Sequence, residues 1–554
     1  MELLVESVGS AVVGVAPAGV PAHTLGRATE RKNPLQVSLL ASNLTALPVR
    51  SGVLITRALR VRAAVAVAVV AALLAAAGVW LLASAGGPTT RHHVVVDGVP
   101  LDVVRPAAAT GRRPGVVVAH GFAGSARLMA PLGDTLAARG YVVVLLDFTG
   151  HGAHRSALPS GDDGVAARRS DLDTALAHLR GLPNVDPTRV ALVGHSMGAG
   201  AVTRYAAEHP EITDTVAISL PDASEATPDR PARLLLLVGG LEFTGFRDAA
   251  KEAAEGGAVR EAVVVPGVEH ISILYAPRTH REIVDRLDES LGGPFTDDAA
   301  PSPLRRAGGA GLLLIALLIG LYPVARLLFG PAVSGWPSFA VPRFGRVLAV
   351  TAVAAVVAAL VAPFLPTTRL PLAVGGFVVG FTGVAAGVML VGARVRRVDR
   401  SSRLPAGVPS ERSGTLRWAL AGLVLVLYAA VAIGVPLHLG VTYAIPGGAR
   451  WWLLAFVWAG FGVLAYAAER LTGGNSVGVL ATSAVVTVAL TAAALVGLAP
   501  GFVLLVVPLL AVLLVWQVIW SAMLHRFAAP YWLITLVGSM VVAWPVATAL
   551  PVVG

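Results

Sequence analysis

Ser196 stands between two glycines in the run Gly194-His195-Ser196-Met197-Gly198, a spacing that suits a serine to nucleophilic attack. A free serine hydroxyl is a weak nucleophile. It needs a base to take its proton and N–H donors to hold the negative oxygen that its attack creates. The G-x-S-x-G spacing supplies the geometry: a serine on a strained strand-to-helix turn, its hydroxyl lifted above a sheet. Both flanks fit. Arg189-Val190-Ala191-Leu192-Val193 reads as the strand that feeds in, and Ala199-Gly200-Ala201-Val202 as the small-residue start of the helix that leads out.

The elements that must position this serine are legible around it. Gly115 to Ala119 is an unbroken apolar run ending in His120-Gly121-Phe122, and Tyr141 to Leu146 is a second, ending in Asp147. Continuous rather than alternating apolar strands are covered on both faces, as in a parallel sheet. Between them the spacing predicts a helix from Leu128 to Arg139 with Gly140 as its cap, and another helix follows from about Arg168 to Arg180. Strands alternating with helices at this interval predict a mostly parallel sheet with helices on both faces.

His120-Gly121-Phe122, Asp147-x-x-Gly150-His151-Gly152, the Ser196 elbow and a late Gly267-x-x-His270 together resemble the α/β-hydrolases. The likeness is to the serine esterase and peptidase branch, some of it called dienelactone-hydrolase-like, and it covers residues from about 92 to 292. It implies the chain order serine, acid, histidine. His270, in the loop after the predicted last strand Glu261–Val265, stands where such proteins carry their base. There it would take the serine proton and return it to the leaving group. His280, in a predicted helix, is the weaker candidate, and His120 is expected to shape the oxyanion loop. Glu242 follows the strand and exit turn Pro231–Gly240, where the family places its acid; Asp222, just after the strand Thr215–Leu220, is the rival. The resemblance assigns the oxyanion donors to the backbone N–H groups of Phe122 and Met197.

Other polar residues have plainer readings. Asp147, Arg155 and Ser156 fit a structural turn, His92-His93 begin a hairpin whose turn is Asp97-Gly98, and Asp162-Asp163 fit a solvated loop. Metal-ligand spacing is lacking, and the expected chemistry calls for no cofactor. Asn43-Leu44-Thr45 matches a glycosylation acceptor, a motif that arises easily by chance.

Composition adds a second part to the molecule. Of 554 residues 55% are hydrophobic and only 14% charged, and the mean hydropathy is +0.73, with the excess after Pro303. Eight runs there approach the roughly 20 residues that cross a bilayer: Gly308–Phe329, Val347–Leu365, Leu372–Ala393, Trp418–Leu437, Trp451–Ala468, Val477–Leu498, Phe502–Leu524 and Tyr531–Val553. A ninth, Ala63 to Ala83, precedes the hydrolase-like part. It is longer than a secretory apolar segment, so an uncleaved anchor is expected over cleavage at Ala83-Ser84-Ala85. The expected organisation is an extension over 1–56, an anchor over 63–85, an α/β-hydrolase domain over 88–300, and an all-α polytopic membrane domain over 304–554.

Arginines orient this arrangement. Arg57, Arg60 and Arg62 precede the first helix, and seven more lie between Arg394 and Arg417; both groups belong on the cytoplasmic side. The hydrolase part then lies outside a plasma membrane, with Arg305-Arg306 as the exception to the rule. The formal charge of +10 is concentrated at these membrane edges, where it meets anionic lipid, and no basic stripe interleaved with aromatics points to nucleic acid. There is no cysteine, and Lys32 and Lys251 are the only lysines; with the Ala, Val, Gly and Arg bias this suggests a GC-rich bacterial genome.

Residues 1–56 lack periodicity and are expected to be disordered, with translation starting nearer Val53. In the membrane part, Glu469, Arg470, His438 and His525 all fall near helix ends and no repeat is evident, so a scaffold or lipid-facing platform is preferred to a transporter. The short link from Leu220 to Arg233 leaves no room for a large cap, so the mouth of the site is expected to be open or covered by the membrane surface. The expected activity is hydrolysis of an ester, thioester or amide, lipid-like or peptide, presented at the outer leaflet. Acyl transfer by the same residues and a non-catalytic sensor or scaffold are the alternatives.

Overall fold

Runs of valine and leucine pair into one eight-stranded sheet. The computed structural model describes residues 62–108, 111–256, 259–293, 300–335, 340–394 and 411–554, with the side chains of 411–416 left out. The readings of residues 1–56, of Asn43 and of the start near Val53 lie outside the described residues, as does most of the arginine-rich stretch before Arg417.

The strands are β1 (Thr89–Val96), β2 (Val99–Pro106), β3 (Arg113–Ala119), β4 (Val142–Leu146), β5 (Val185–His195), β6 (Asp214–Ile218), β7 (Arg233–Gly239) and β8 (Val259–Val265). β1 and β2 form the hairpin expected at Asp97-Gly98, where both residues have positive φ, as a tight two-residue turn requires. Across the sheet the order is β1-β2-β4-β3-β5-β6-β7-β8, and from β4 to β8 every pairing is parallel. Side chains leave a strand alternately to its two faces. Val116 and Val118 accordingly join Leu132, Leu136, Ile283 and Leu287, while Val117 joins Leu172, Leu176 and Val202. α2 (Ala130–Ala138) and α6 (Pro277–Leu291) therefore cover one face. α3 (Gly161–Gly181), α4 (Met197–Glu208) and α5 (Thr244–Ala254) cover the other.

α3 begins about seven residues earlier than its pattern predicted. Asp162 and Asp163, expected in a loop, occupy its first turn. Carboxylates there complement the positive end of the helix dipole, an effect that apolar periodicity does not register.

Among the described residues nine helices are long and apolar enough to cross a membrane, which makes this a multi-pass membrane protein. They are α1 (Arg62–Ala83), α7 (Leu304–Phe329), α8 (Phe344–Val361), α9 (Gly375–Arg394), α10 (Glu411–Gly440), α11 (Arg450–Thr472), α12 (Ser476–Leu495), α13 (Val503–His525) and α14 (Tyr531–Ala549). α14 is the most enclosed and packs against α10, α11 and α13. α1 packs on α7 where Gly78 and Gly309 meet; a Cβ on either would come within 2.9 Å of the other's carbonyl oxygen. Small residues at such crossings let helix backbones approach. Glu469 and His525 pair at 2.9 Å where α11 and α13 end, away from the sheet.

The sheet domain is seated on the other end of the bundle. Arg450, buried at the start of α11, donates from Nη2 to Gly150 O at 2.9 Å and to Leu550 O at 3.5 Å. The chain after α14 continues as an extended strap: Val552 N donates to Gly150 O at 2.9 Å, and Leu158 N to Val552 O at 2.8 Å. Ser125 Oγ lies 3.0 Å from Thr442 Oγ1 and accepts from Tyr443 N at 3.0 Å, while Arg127 donates to His438 O at 3.2 Å. Arg306 pairs with buried Asp134, which also holds Arg91, and Arg305 lies over the Trp80 ring. The two arginines that broke the charge rule thus have partners that fix them at this end.

Candidate active site

Ser196 sits between β5 and α4 with φ 54° and ψ −118°, a conformation that costs a non-glycine residue strain. Its neighbours make the turn possible. A Cβ on Gly194 would come within 2.3 Å of Gly198 O, and one on Gly198 within 2.5 Å of His120 O. Ser196 N donates to Ile218 O at 2.8 Å, which fastens the elbow to the end of β6.

His270 and Glu242 arrive from the ends of neighbouring strands, His270 after β8 and Glu242 after β7. His270 Nε2 is 3.0 Å from Ser196 Oγ, and His270 Nδ1 is 2.9 Å from Glu242 Oε2. An ionised carboxylate only accepts, so Nδ1 carries the proton and Nε2 is left bare toward the serine. Glu242 is itself held: its Oε1 accepts from Ser219 Oγ at 2.7 Å and from Gly239 N at 2.8 Å. All three side chains are buried. The rivals lie elsewhere. Asp222 caps Ser224 N at 2.9 Å on an exposed turn, and His280 is tied to Thr135 Oγ1 at 2.7 Å and Leu274 O at 2.9 Å.

The two residues expected to stabilise an oxyanion flank the serine. Met197 N is the first amide of α4, one of the four that a helix cannot satisfy internally. The Phe122 amide is aimed by its own peptide. Gly121 O accepts from His120 Nδ1 at 2.7 Å and from Gly124 N at 2.9 Å. In a trans peptide the N–H points opposite to the carbonyl, so the Phe122 N–H is turned the other way. His120 Nε2 accepts from Phe148 N at 3.1 Å, which fixes its tautomer; burial lowers its pKa to about 4 and keeps it neutral. Asp147 braces the same loop by accepting from Ala126 N at 2.7 Å and Ala153 N at 2.8 Å, and burial raises its carboxyl to about 6.

Two residues that sequence reasoning passed over complete the setting. His195 Nε2 donates to His270 O at 2.9 Å, and the two rings lie with centroids 4.8 Å apart. Burial lowers the His195 pKa to about 3, so it remains a neutral brace. Ser219 holds Glu242. The middle letter of an elbow and the residue after a strand carry no pattern that marks such duties.

Part of the mouth, expected to be open or covered by the membrane surface, is covered by the bundle. Phe502, just ahead of α13, meets the Phe122 ring at a centroid distance of 4.1 Å. Two cavities reach Ser196 beneath this contact. One, of about 660 Å³, runs along α3 and α4; the other, of about 390 Å³, runs between His270 and the apolar faces of α13 and α14. A connection within the hydrolase-like part too short for a cap domain is offset by a cap supplied from the bundle. Among the described residues no group of His, Asp and Glu has the arrangement of a metal site.

A mostly parallel sheet flanked by helices, with a serine on a strand-to-helix elbow, defines an α/β-hydrolase domain, here joined to a membrane bundle. Residues 111–241 match the family described as serine aminopeptidase, S33. The chain is similar to an uncharacterized protein of Mycobacterium tuberculosis, at 35% identity over 105 residues, 19% of this chain and 36% of that one. It is also similar to a thermostable monoacylglycerol lipase of a Bacillus species, at 30% identity over 148 residues, 26% of this chain and 54% of the lipase. These alignments span between about a third and a half of each relative's length. A dienelactone hydrolase from Anabaena variabilis is among the similar solved structures, with 21% identity, a TM-score of 0.30, and 37% of this chain and 97% of that one covered.

Proposed function

We propose that this protein is a membrane-embedded serine hydrolase that cleaves an ester, thioester or amide through an acyl-enzyme on Ser196, with its site on the extracytoplasmic side. The observation that carries the reading is the unbroken path from Ser196 Oγ through both nitrogens of His270 to Glu242. His270 Nε2 takes the hydroxyl proton as Oγ attacks the carbonyl carbon. The carbonyl oxygen becomes an oxyanion facing the Phe122 and Met197 amides, and Glu242 stabilises the imidazolium. Collapse of the tetrahedral intermediate breaks the bond to the leaving group, which takes the proton from Nε2. Water then attacks the acyl-enzyme by the same steps and releases the acid. Matches to a peptidase family and to a lipase support this class of chemistry without choosing between amide and ester.

The orientation rests on charge. The helix ends that contact the hydrolase domain are those opposite Arg343, Arg346, Arg470 and Arg526, and a surplus of arginine marks the cytoplasmic side. Intact cells making the full chain and given a charged, membrane-impermeant short-chain ester test both parts of the proposal. Hydrolysis that Ser196→Ala abolishes is expected. Hydrolysis that appears only after permeabilisation would overturn the orientation, and equal rates for parent and variant would overturn the role of Ser196.

A further inference from the structure

The two cavities that reach Ser196 differ in chemistry. The larger has charged side chains at its border, where Arg169 pairs with Glu208 and Arg204 with Glu225, and Arg168 and Asp162 stand beside them. The smaller is almost wholly apolar, with Val506, Leu509, Leu513, Pro545, Val546 and Leu550 in its wall. Phe502, just ahead of α13, and most of the helix from Leu505 to Leu513 line this cavity. Leu513 lies about 15 Å along the helix from Val503 at about 1.5 Å per residue, roughly one leaflet of a hydrocarbon core about 30 Å thick.

We propose that the substrate is an acyl lipid whose chain enters this apolar cavity directly from the bilayer, beside α13 and α14, while its polar leaving group occupies the arginine-lined cleft. The proposal rests on the hydrolase reading above and names the substrate for it. Leu509 and Val512 both line the cavity and are 49% and 63% exposed, on a helix that crosses the membrane. The cavity therefore opens sideways to lipid. A chain that moves from bilayer to cavity by this route never meets water, so it incurs no cost of apolar hydration on the way. Its carbonyl then stands at the junction of the cavities, where Ser196 lies and where Phe122 and Phe502 border both. The apolar cavity on one side and the charged border on the other orient an amphiphile so that its acyl carbonyl is the end that Ser196 attacks.

The test uses the full chain in lipid nanodiscs with nitrophenyl acetate and nitrophenyl palmitate, reading the ratio of their kcat/KM values. The parent is expected to prefer palmitate by roughly a hundredfold or more, a ratio that about two methylenes well held in an apolar pocket already supply. Val506→Trp and, at a more exposed position, Leu509→Trp fill the cavity, and each is expected to cut the ratio by about tenfold or more. Val488→Trp, on a lipid-exposed face of α12, serves as the control and keeps the parent ratio. Turnover of acetate with no preference for palmitate, or a ratio unmoved by both tryptophans, would overturn the acyl-chain assignment and leave the hydrolase intact. Failure of the parent to turn over either ester would instead remove the hydrolase reading, and this assignment with it.

Discussion

At the scale of single residues the site depends on one carboxylate that no short motif announces. Glu242 accepts from His270 with one oxygen and from Ser219 and Gly239 with the other, so it fixes the ring and bears the charge that stabilises an imidazolium. Glu242→Gln keeps the shape, removes the charge and presents an N–H to Nδ1, which favours the wrong tautomer. Its kcat/KM on a soluble ester is predicted to fall by about a thousandfold or more. Asp222→Asn, on the exposed turn, is predicted to stay within about twofold of the parent; the opposite ranking would reassign the acid. Ser196, His270 and Glu242 were nominated by strand ends that apolar runs mark together with the resemblance to α/β-hydrolases, since Asp222 follows a strand end as well. His195 and Ser219 escaped because they work through hydrogen bonds across the sheet, which leave no periodic trace.

Buried histidines also set a pH response. Burial lowers His120 to about 4 and His195 to about 3, against 6.5 for an exposed histidine. Between those values the unfolded chain binds protons that the folded protein refuses, so stability is present above about 6.5 and is lost as pH falls. Asp147 acts in the opposite sense: its folded pKa of about 6 lies above 3.8, so it adds stability as pH drops through about 6. Two histidines outweigh one aspartate, so these three groups together lose stability between about pH 7 and about pH 5. Thermal unfolding in detergent is predicted to show a lower Tm at the acid end, with His195→Gln reducing the drop. A Tm that rises on acidification would contradict the assignment of neutral buried rings.

At the scale of elements, helices long and apolar enough to cross a membrane line the cavities that reach Ser196. The alternation of apolar runs and turns marked all eight strands and the nine long apolar helices, but it placed the starts of α3 and α10 about seven residues late and gave no reading of α5. What the pattern could not disclose is which loop touches which. The bonds from Ser125 to Thr442 and from Arg450 to Gly150 join residues some 300 positions apart, and no spacing rule links them. Arg450 is buried and clamps the Gly150 turn to the end of α14. Arg450→Ala removes a charge-assisted bond between the two parts, worth about 1.5–3 kcal/mol. A lower Tm for the full chain is predicted, with partial recovery in Arg450→Lys. An unchanged Tm would show that the clamp contributes nothing to holding the domain.

At the scale of the whole molecule, the hydrolase domain and the bundle divide one task. Strand ends of the sheet carry the reacting groups, and the helices supply the cover that the short link between β6 and β7 cannot. Composition alone separated the two parts, because a bilayer selects long uninterrupted apolar runs and a parallel sheet selects short ones. Their joint use of one cavity was not legible, since the residues facing Ser196 from α13 are the same types that would face lipid. The central claim is that Ser196 is an activated nucleophile inside this composite site. The most direct measurement is labelling of the full-length protein in membranes by a fluorophosphonate, compared with Ser196→Ala and His270→Ala at matched expression. Labelling of the parent, lost in both variants, is the predicted result; labelling that persists in Ser196→Ala, or none in a folded parent, would contradict the account.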